Sequence, residues 1–292
     1  MRDLIFVFYG GAMNGVFGGG VVKTLQKHNL YNRIHSIYGI SAGAHSAAYF
    51  LSRKSVYANV YYDDLIGENF VKNQKKEFIK TLFKHFFNKR KRIRKIVDLD
   101  YLAKIEKHHK KLNLKQIKKS KIKLFIKVFD IKDKKPVYLK GFNNLLLKLK
   151  ASSATIPFYP HTIKIGKKEY CDAAALSEMI DSKIKELINS NKKIIFVINK
   201  PLKSLKSFNF LAGEFIWTLL LIIYFKKWFP LKKLRAFNNY VKFKKYAKKD
   251  NVFILDNDID IPLLCTQQEK LIELCKHGEK RAEEFLIRNK LI

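Results

Sequence analysis

Continuous runs of apolar residues recur along the chain, and each run ends at glycine or at polar residues. Such runs are typical of strands buried on both faces of a parallel sheet. They predict strands over residues 4–9, 123–130, 194–199 and 252–255. Other segments carry apolar residues at helical spacing, most clearly residues 267–286. Buried strands interspersed with helices predict an α/β fold with a mostly parallel sheet.

The first predicted strand leads directly into a glycine-rich segment, Gly10 to Leu25, which contains a glycine loop and then a helix. The order strand, glycine loop and helix builds an anion site, because loop amides and the helix N-terminus point to one place. The glycine spacing matches neither the Walker pattern nor G-x-G-x-x-G. Amides in this arrangement can also form an oxyanion hole, which stabilises charge on a carbonyl oxygen during acyl transfer.

A Gly-x-Ser-x-Gly pattern is centred on Ser41, with Gly39 before it and Gly43 after it. It follows a short apolar run and precedes helix-forming residues, which is the context of a nucleophile elbow. A serine in such a turn attacks an ester carbonyl when a base removes its proton. The pattern also occurs by chance, so on its own it leaves a structural serine as the alternative.

The balance of charged residues is strongly basic. The net charge is +34 and the sequence pI is near 10.0. A positive field of this size favours two partners, an anionic membrane surface and nucleic acid. The chain has no aromatic RNP pattern and no zinc knuckle, so we do not expect a nucleic-acid partner.

The N-terminus and the cysteines indicate the compartment. The apolar N-terminal run is short and reaches glycines without a cleavage pattern, so it predicts a strand and no signal peptide. Three cysteines without a CxxC pair predict neither a disulfide framework nor a zinc site. We therefore expect a cytoplasmic protein that associates peripherally with membranes.

Two segments are candidates for membrane contact. Residues 89–95 form a basic cluster, and residues 208–229 form the most apolar stretch. The uninterrupted part of that stretch, residues 215–225, is shorter than the ~20 residues that span a bilayer. With Trp217 and Trp228 it predicts an interfacial helix, and a helix buried in the core is the alternative.

Four segments resemble, in order and spacing, the sequence blocks of the patatin-like phospholipase family. They are residues 10–25, 37–48, 151–160 and 170–174. The resemblance implies a three-layer α/β/α fold, with a central mostly parallel sheet flanked by helices. It favours a single domain over residues 1–292, with a Lys-rich helical insertion around residues 54–123.

The resemblance also implies a lipid acyl hydrolase of phospholipase A type, which works through an acyl-enzyme and needs no metal or other cofactor. Ser41 would be the nucleophile and Asp172 the base. The substrate would be a phospholipid or another acyl-ester lipid, reached at an anionic membrane surface. The oxyanion hole would be formed by Gly10, Gly11, Ala12, Asn14 and Gly15.

Two residues depart from the family pattern. Asn14 stands where the family usually has Arg or Lys, and Ala173 follows Asp172 where the family has Gly. An alanine forced to a positive φ would be strained by roughly 1–2 kcal/mol. A catalytically impaired, basic membrane-binding relative is therefore one alternative. An acyltransferase on the same scaffold is another.

Three histidines are candidates for a triad with Ser41. His45 lies one predicted helical turn after the serine, and His161 follows the block at residues 151–160. His277 comes late in the chain, as the histidine of α/β-hydrolases does. A Ser–Asp dyad needs no histidine, so we interpret all three as structural or surface residues.

Overall fold

The computed structural model describes residues 2–72, 95–156, 158–174, 176–206 and 235–292. The two predicted membrane-contact segments lie outside these ranges, apart from Lys95 at the end of the basic cluster. No helix in the described part of the chain is long and apolar enough to cross a bilayer.

Eight strands in the described part of the chain form one sheet in the order β5-β6-β3-β2-β1-β7-β8, with β4 also paired to β3. β1, β2, β3, β7 and β8 are joined by parallel pairings. β4, β5 and β6 join by antiparallel pairings at one side. The strands are β1 (Leu4–Phe8), β2 (Ile34–Ile40), β3 (Lys123–Asp130), β4 (Lys135–Lys140), β5 (Ile163–Ile165), β6 (Lys168–Cys171), β7 (Lys193–Ile198) and β8 (Val252–Asp256).

Helices cover both faces of the sheet, which confirms the predicted three-layer α/β/α fold. Strand β1 is apolar throughout because its alternate side chains enter two different cores. Phe6 and Phe8 pack with one apolar cluster, and Ile5 and Val7 pack with the other. The helices are α1 (Gly15–Lys27), α2 (Ala42–Leu51), α3 (Leu99–Lys104), α4 (Leu114–Lys119), α5 (Leu145–Ser153), α6 (Ser182–Ile188), α7 (Arg235–Tyr246) and α8 (Gln268–Arg288).

The two faces differ in which helices they carry. Side chains of α1, α2, α5 and α8 belong to the larger cluster, and side chains of α6 and α7 belong to the smaller one. Helix α1 packs closely on α8, where a Cβ at Gly20 would lie 2.1 Å from the carbonyl oxygen of Cys275. Lys23 and Glu279 form an ion pair of 3.1 Å across the same contact. This contact brings the C-terminal helix against the helix that follows the glycine loop.

The described part of the predicted insertion, residues 54–72 and 95–123, contains short helical segments. Tyr57–Asn59 continues into a π-helical turn at Val60–Asp64, and α3 continues into another at Ile105–His109. The Asp98 carboxylate caps α3 by accepting the N–H groups of Asp100 and Tyr101. Apolar side chains of this region enter the larger cluster beside α2. The division into a single domain with an insertion stays a prediction.

Candidate active site

Ser41 stands in the sharp turn between β2 and α2, with φ of 53°. Both glycines of the Gly-x-Ser-x-Gly pattern are required by close contacts. A Cβ at Gly39 would lie 2.5 Å from Ala44 Cα, and a Cβ at Gly43 would lie 2.3 Å from the carbonyl oxygen of Phe8. The turn is therefore packed against β1 and the first residues of its own helix, and its serine sits at the N-terminus of α2.

Ser152, near the end of α5, holds the backbone of this turn. Its buried hydroxyl accepts the N–H of Ser41 at 2.8 Å and donates to the carbonyl oxygen of Lys127 at 2.7 Å. One hydroxyl therefore bonds the backbone of both the nucleophile turn and β3. The nucleophile turn is consequently tied to β3 through one side chain.

Asp172 directly follows β6, and its side chain is buried. One carboxylate oxygen accepts the Thr155 hydroxyl at 2.5 Å, and the other accepts the N–H of Ala174 at 2.7 Å. The Ser41 side chain lies close enough to this carboxyl to lower its pKa. The structure therefore brings together the two residues that the sequence predicted as nucleophile and base.

The electrostatics of Asp172 are dominated by burial, which raises the pKa of its carboxyl above the ordinary aspartate value. Its hydrogen bonds and the positive charge of Lys127 act in the opposite direction without cancelling the effect of burial. Lys127 is itself buried and forms a 2.9 Å ion pair with Asp181. A carboxylate with a raised pKa takes up a proton more readily than an exposed one.

The glycine loop lies beside Ser41. A Cβ at Gly10 would come within 2.8 Å of Ser41 Cβ and 3.4 Å of its Oγ. Among the described residues, no hydrogen bond takes up the N–H groups of Gly10, Gly11 or Ala12. Three unengaged amides next to a serine hydroxyl are the elements of an oxyanion hole.

The other two residues predicted for the oxyanion hole are used differently. The N–H of Asn14 donates to the carbonyl oxygen of Gly11 at 3.0 Å. The N–H of Gly15 donates to the carbonyl oxygens of Ala12 and Met13. Both amides therefore hold the tight turn before α1, and the structure leaves the preceding three amides for a ligand.

The structure shows how Asn14 and Ala173, the two residues that depart from the family pattern, are accommodated. The buried Asn14 amide donates to the carbonyl oxygens of Ile261 and Pro262 at 3.3 and 3.5 Å, so it anchors the loop before α8. Ala173 is not among the described residues with a positive φ, so the strain considered for it does not arise. Its carbonyl oxygen accepts the Ser177 hydroxyl at 2.8 Å.

The three histidines have different surroundings. His161 is exposed and packs edge-on against Tyr159, and His277 bonds the Asp258 carboxylate at 2.5 Å. His45 is buried and bonds the carboxylate of Glu106. Its other ring nitrogen bonds Ser153, a residue that the sequence analysis did not select.

Ser41 opens into a largely apolar cavity of about 620 Å³, a volume that includes part of its solvent-exposed mouth. Side chains of α2, of the 54–123 region and of the segment after α5 form its walls. Among the described residues, no cluster of three His, Cys, Asp or Glu side chains could hold a metal ion. The apolar wall residues include Met13, Val60, Leu65, Phe70, Val97, Leu102, Phe158 and Leu264.

The family model described as patatin-like phospholipase matches residues 6–181. No protein with a curated description matched the chain. Among solved structures, VipD from Legionella pneumophila is 12% identical with a TM-score of 0.47, over 99% of this chain and 67% of that one. The heterodimeric ExoU–SpcU complex from the type III secretion system of Pseudomonas aeruginosa is 12% identical with a TM-score of 0.41, over 98% of this chain and 52% of that one.

Proposed function

The chain belongs to the patatin-like phospholipase family, and from that premise we propose that it is a lipid acyl hydrolase of phospholipase A type. The reaction is the cleavage of carboxylic esters of membrane lipids by Ser41, with Asp172 as the base. One observation carries the proposal. The side chain of Ser41, held in a strained turn, lies beside the buried Asp172 carboxyl at an apolar cavity.

In the first half of the reaction, the Ser41 hydroxyl attacks the ester carbonyl as its proton passes to Asp172. The negative charge that develops on the carbonyl oxygen is stabilised by the N–H groups of Gly10, Gly11 and Ala12. The dipole of α2, which begins directly after the serine, favours the same charge. The tetrahedral intermediate then expels the alcohol, which takes the proton from Asp172.

In the second half, water attacks the acyl-enzyme and Asp172 accepts its proton. The intermediate collapses to release the fatty acid and restores the Ser41 hydroxyl. The buried position of Asp172 suits both steps, because its raised pKa makes the carboxylate a stronger base. Ser152 keeps Ser41 in place through the cycle by holding its backbone N–H.

The surroundings of the serine favour a lipid as the substrate. The apolar walls of the cavity match an acyl chain, and the net charge of +34 favours an anionic surface on which the substrate is presented. We therefore propose phospholipids or other acyl-ester lipids as substrates, met at an anionic membrane.

The test is hydrolysis of phospholipid vesicles by the wild type, Ser41→Ala and Asp172→Asn, with the products identified by mass spectrometry. We expect free fatty acid from the wild type and a loss of roughly 1,000-fold or more in each variant. A fluorophosphonate probe followed by peptide mapping should place the label on Ser41. A wild type that folds but releases no acyl product would refute the hydrolase and favour the impaired relative.

The same assay separates the hydrolase from the acyltransferase alternative. Both form an acyl-enzyme on Ser41, so both are labelled by the probe. They differ in the acceptor, which is water in one case and an alcohol in the other. Adding a lysolipid, whose free hydroxyl can accept an acyl group, and measuring the ratio of new ester to free fatty acid decides between them.

A further inference from the structure

A second serine in the same cavity has the hydrogen-bonding partners of a nucleophile. The Oγ of Ser153 lies 2.8 Å from Nε2 of His45. Nδ1 of the same ring lies 2.5 Å from Oε1 of Glu106. Serine, imidazole and carboxylate therefore follow one another in the order of a Ser–His–acid triad.

The chemistry of the three groups determines which atom donates and which accepts in each hydrogen bond. An ionised Glu106 can only accept hydrogen bonds, so the proton of a neutral His45 lies on Nδ1. Nε2 is then an acceptor and faces the Ser153 hydroxyl as a base. The side chains of His45 and Glu106 are only 3% and 1% exposed, so water does not compete for the bond between them.

The three residues come from three separate elements, and two of them, His45 and Ser153, line the cavity. His45 lies on α2, one turn after Ser41, and Ser153 is the last residue of α5. Glu106 comes from the π-helical turn after α3, within the predicted insertion. Ser153 and His45 line the same cavity as Ser41, so an ester bound there is within the space that both serines share.

A structural role alone explains this arrangement poorly. A buried pair of imidazole and carboxylate gives little net stability compared with apolar side chains of the same size, because both groups lose their hydration. A pair that served only to join α2 to the turn would also need no third group. Here the second ring nitrogen bonds the partly exposed hydroxyl of Ser153 on the wall of the cavity.

We propose that Ser153, His45 and Glu106 form a second nucleophilic triad that acts on carboxylic esters with apolar acyl chains. The inference uses the cavity of the proposed function but not its Ser41–Asp172 dyad. The Ser153 hydroxyl attacks the acyl carbonyl while its proton passes to Nε2 of His45. The bond to the alcohol breaks, and the alcohol leaves with that proton. Water then attacks the acyl-Ser153 ester, returns a proton through His45 to Ser153, and releases the carboxylic acid.

The experiment is labelling with an alkyl fluorophosphonate, followed by digestion and mass-spectrometric mapping of the modified serine. In Ser41→Ala, where both His45 and Glu106 are intact, we expect the label on Ser153. His45→Gln, made in the wild-type background, should reduce labelling of Ser153 by roughly 100-fold. It should leave the label on Ser41, which also reports that the fold is intact. Ser46→Ala, a change at another buried serine of α2, is the matched control and should label as the wild type does.

Two results would overturn the inference. One is the absence of label on Ser153 in both the wild type and Ser41→Ala. The other is labelling of Ser153 that His45→Gln leaves unchanged while Ser41 is still labelled. The two serines are scored separately, so the proposal for Ser41 and the proposal for Ser153 fail independently. A p-nitrophenyl acyl ester adds a catalytic readout, because residual hydrolysis by Ser41→Ala should disappear when Ser153→Ala is added.

Discussion

The hydroxyl of Ser152 accepts the backbone N–H of Ser41 at 2.8 Å. This bond fixes the one peptide group that joins β2 to the nucleophile. Ser41 has a φ of 53°, a conformation that an L-residue adopts only when its surroundings impose it. The same Ser152 hydroxyl donates to Lys127 on β3, so the strained turn is held to the neighbouring strand of the sheet.

We expect Ser152→Ala to weaken both stability and activity. The substitution leaves the N–H of Ser41 and the carbonyl oxygen of Lys127 without this partner, at a site that water does not reach. Each buried group left unpaired costs about 1–3 kcal/mol. Denaturant unfolding should therefore show a loss of roughly 2–4 kcal/mol, and ester hydrolysis should fall roughly 10- to 100-fold because Ser41 is less well positioned.

Ser46→Ala is the control for that change. Ser46 is also buried, but its hydroxyl donates a long hydrogen bond, of 3.4 Å, to the carbonyl oxygen of Ala42. The same carbonyl oxygen keeps the Tyr57 hydroxyl at 2.9 Å. The control should lose less than about 1 kcal/mol. Equal losses in the two variants would contradict the special role of the Ser152–Ser41 bond.

Asp172→Asn should abolish hydrolysis and raise the stability of the fold at neutral pH. Burial raises the pKa of Asp172, so the folded protein favours the protonated carboxyl more than the unfolded chain does. That favourable contribution is complete below the ordinary aspartate pKa and is lost as the pH rises through the raised value. An asparagine is permanently neutral and can still pair with Thr155 and Ala174. The midpoint of urea unfolding at pH 7 should therefore increase.

Asp130→Asn is the matched substitution, and we expect it to change the stability of the fold in the opposite direction. Asp130 is also buried, but the N–H of Asp133 and the ammonium of Lys168 bond its carboxylate and lower its pKa. Its contribution to stability is present above the ordinary aspartate pKa and is lost as the pH falls through the lowered value. This variant should be less stable than the wild type at pH 7. A gain in stability here, or a loss in Asp172→Asn, would contradict the assignment of the two carboxyls.

The pH dependence of kcat/KM should show an acid limb set by Asp172. Only the ionised carboxylate accepts the Ser41 proton, and the raised pKa places this limb above the ordinary aspartate value of about 3.9. Lys127 opposes the rise through its positive charge, so Lys127→Met should move the limb to higher pH. A limb at the ordinary value, or one that Lys127→Met leaves in place, would argue against Asp172 as the base.

Local sequence was enough to predict the buried parallel strands and the nucleophile turn. The apolar runs follow from a sheet that is covered on both faces, and the two glycines around Ser41 follow from contacts within a few residues or with the adjacent strand. The need for glycine within α1 was less predictable. α1 already begins at Gly15, and Gly20 lies inside it because the backbone of α8 packs there. A contact so distant in sequence leaves no local signal.

The role of Glu106 in the candidate site could not be predicted from local sequence for the same reason. It is the one acidic residue between Lys104 and Lys111, a segment that reads as an exposed basic helix. Its burial depends on His45, which lies on α2 and reaches it only through the tertiary fold. The roles of Ser152 and Thr155 were hidden for a similar reason. Their block was recognisable, but the groups that their hydroxyls bond belong to other strands and turns.

Hydrolysis should be faster on anionic vesicles than on zwitterionic vesicles at low salt. The net charge of +34 attracts the protein to a negative surface, and salt weakens this attraction as the screening length falls from ~10 Å at 0.1 M to ~3 Å at 1 M. Initial rates on the two vesicle types should therefore converge as salt is added. A water-soluble ester assayed without vesicles serves as the control. Equal rates on both vesicle types at every ionic strength would contradict the proposed attraction of the protein to an anionic membrane.

Ala12→Gly should stabilise the glycine loop. Ala12 has a φ of 49°, in the left-handed region, where its Cβ costs about 1–2 kcal/mol. Glycine removes this strain but adds freedom to the unfolded chain, which costs about 0.5–1 kcal/mol. The net gain in free energy of unfolding should be about 0.5–1 kcal/mol, measured by denaturant titration. Ala103→Gly, inside α3, is the control and should lose about 1 kcal/mol. Destabilisation by both substitutions would show that Ala12 is not strained.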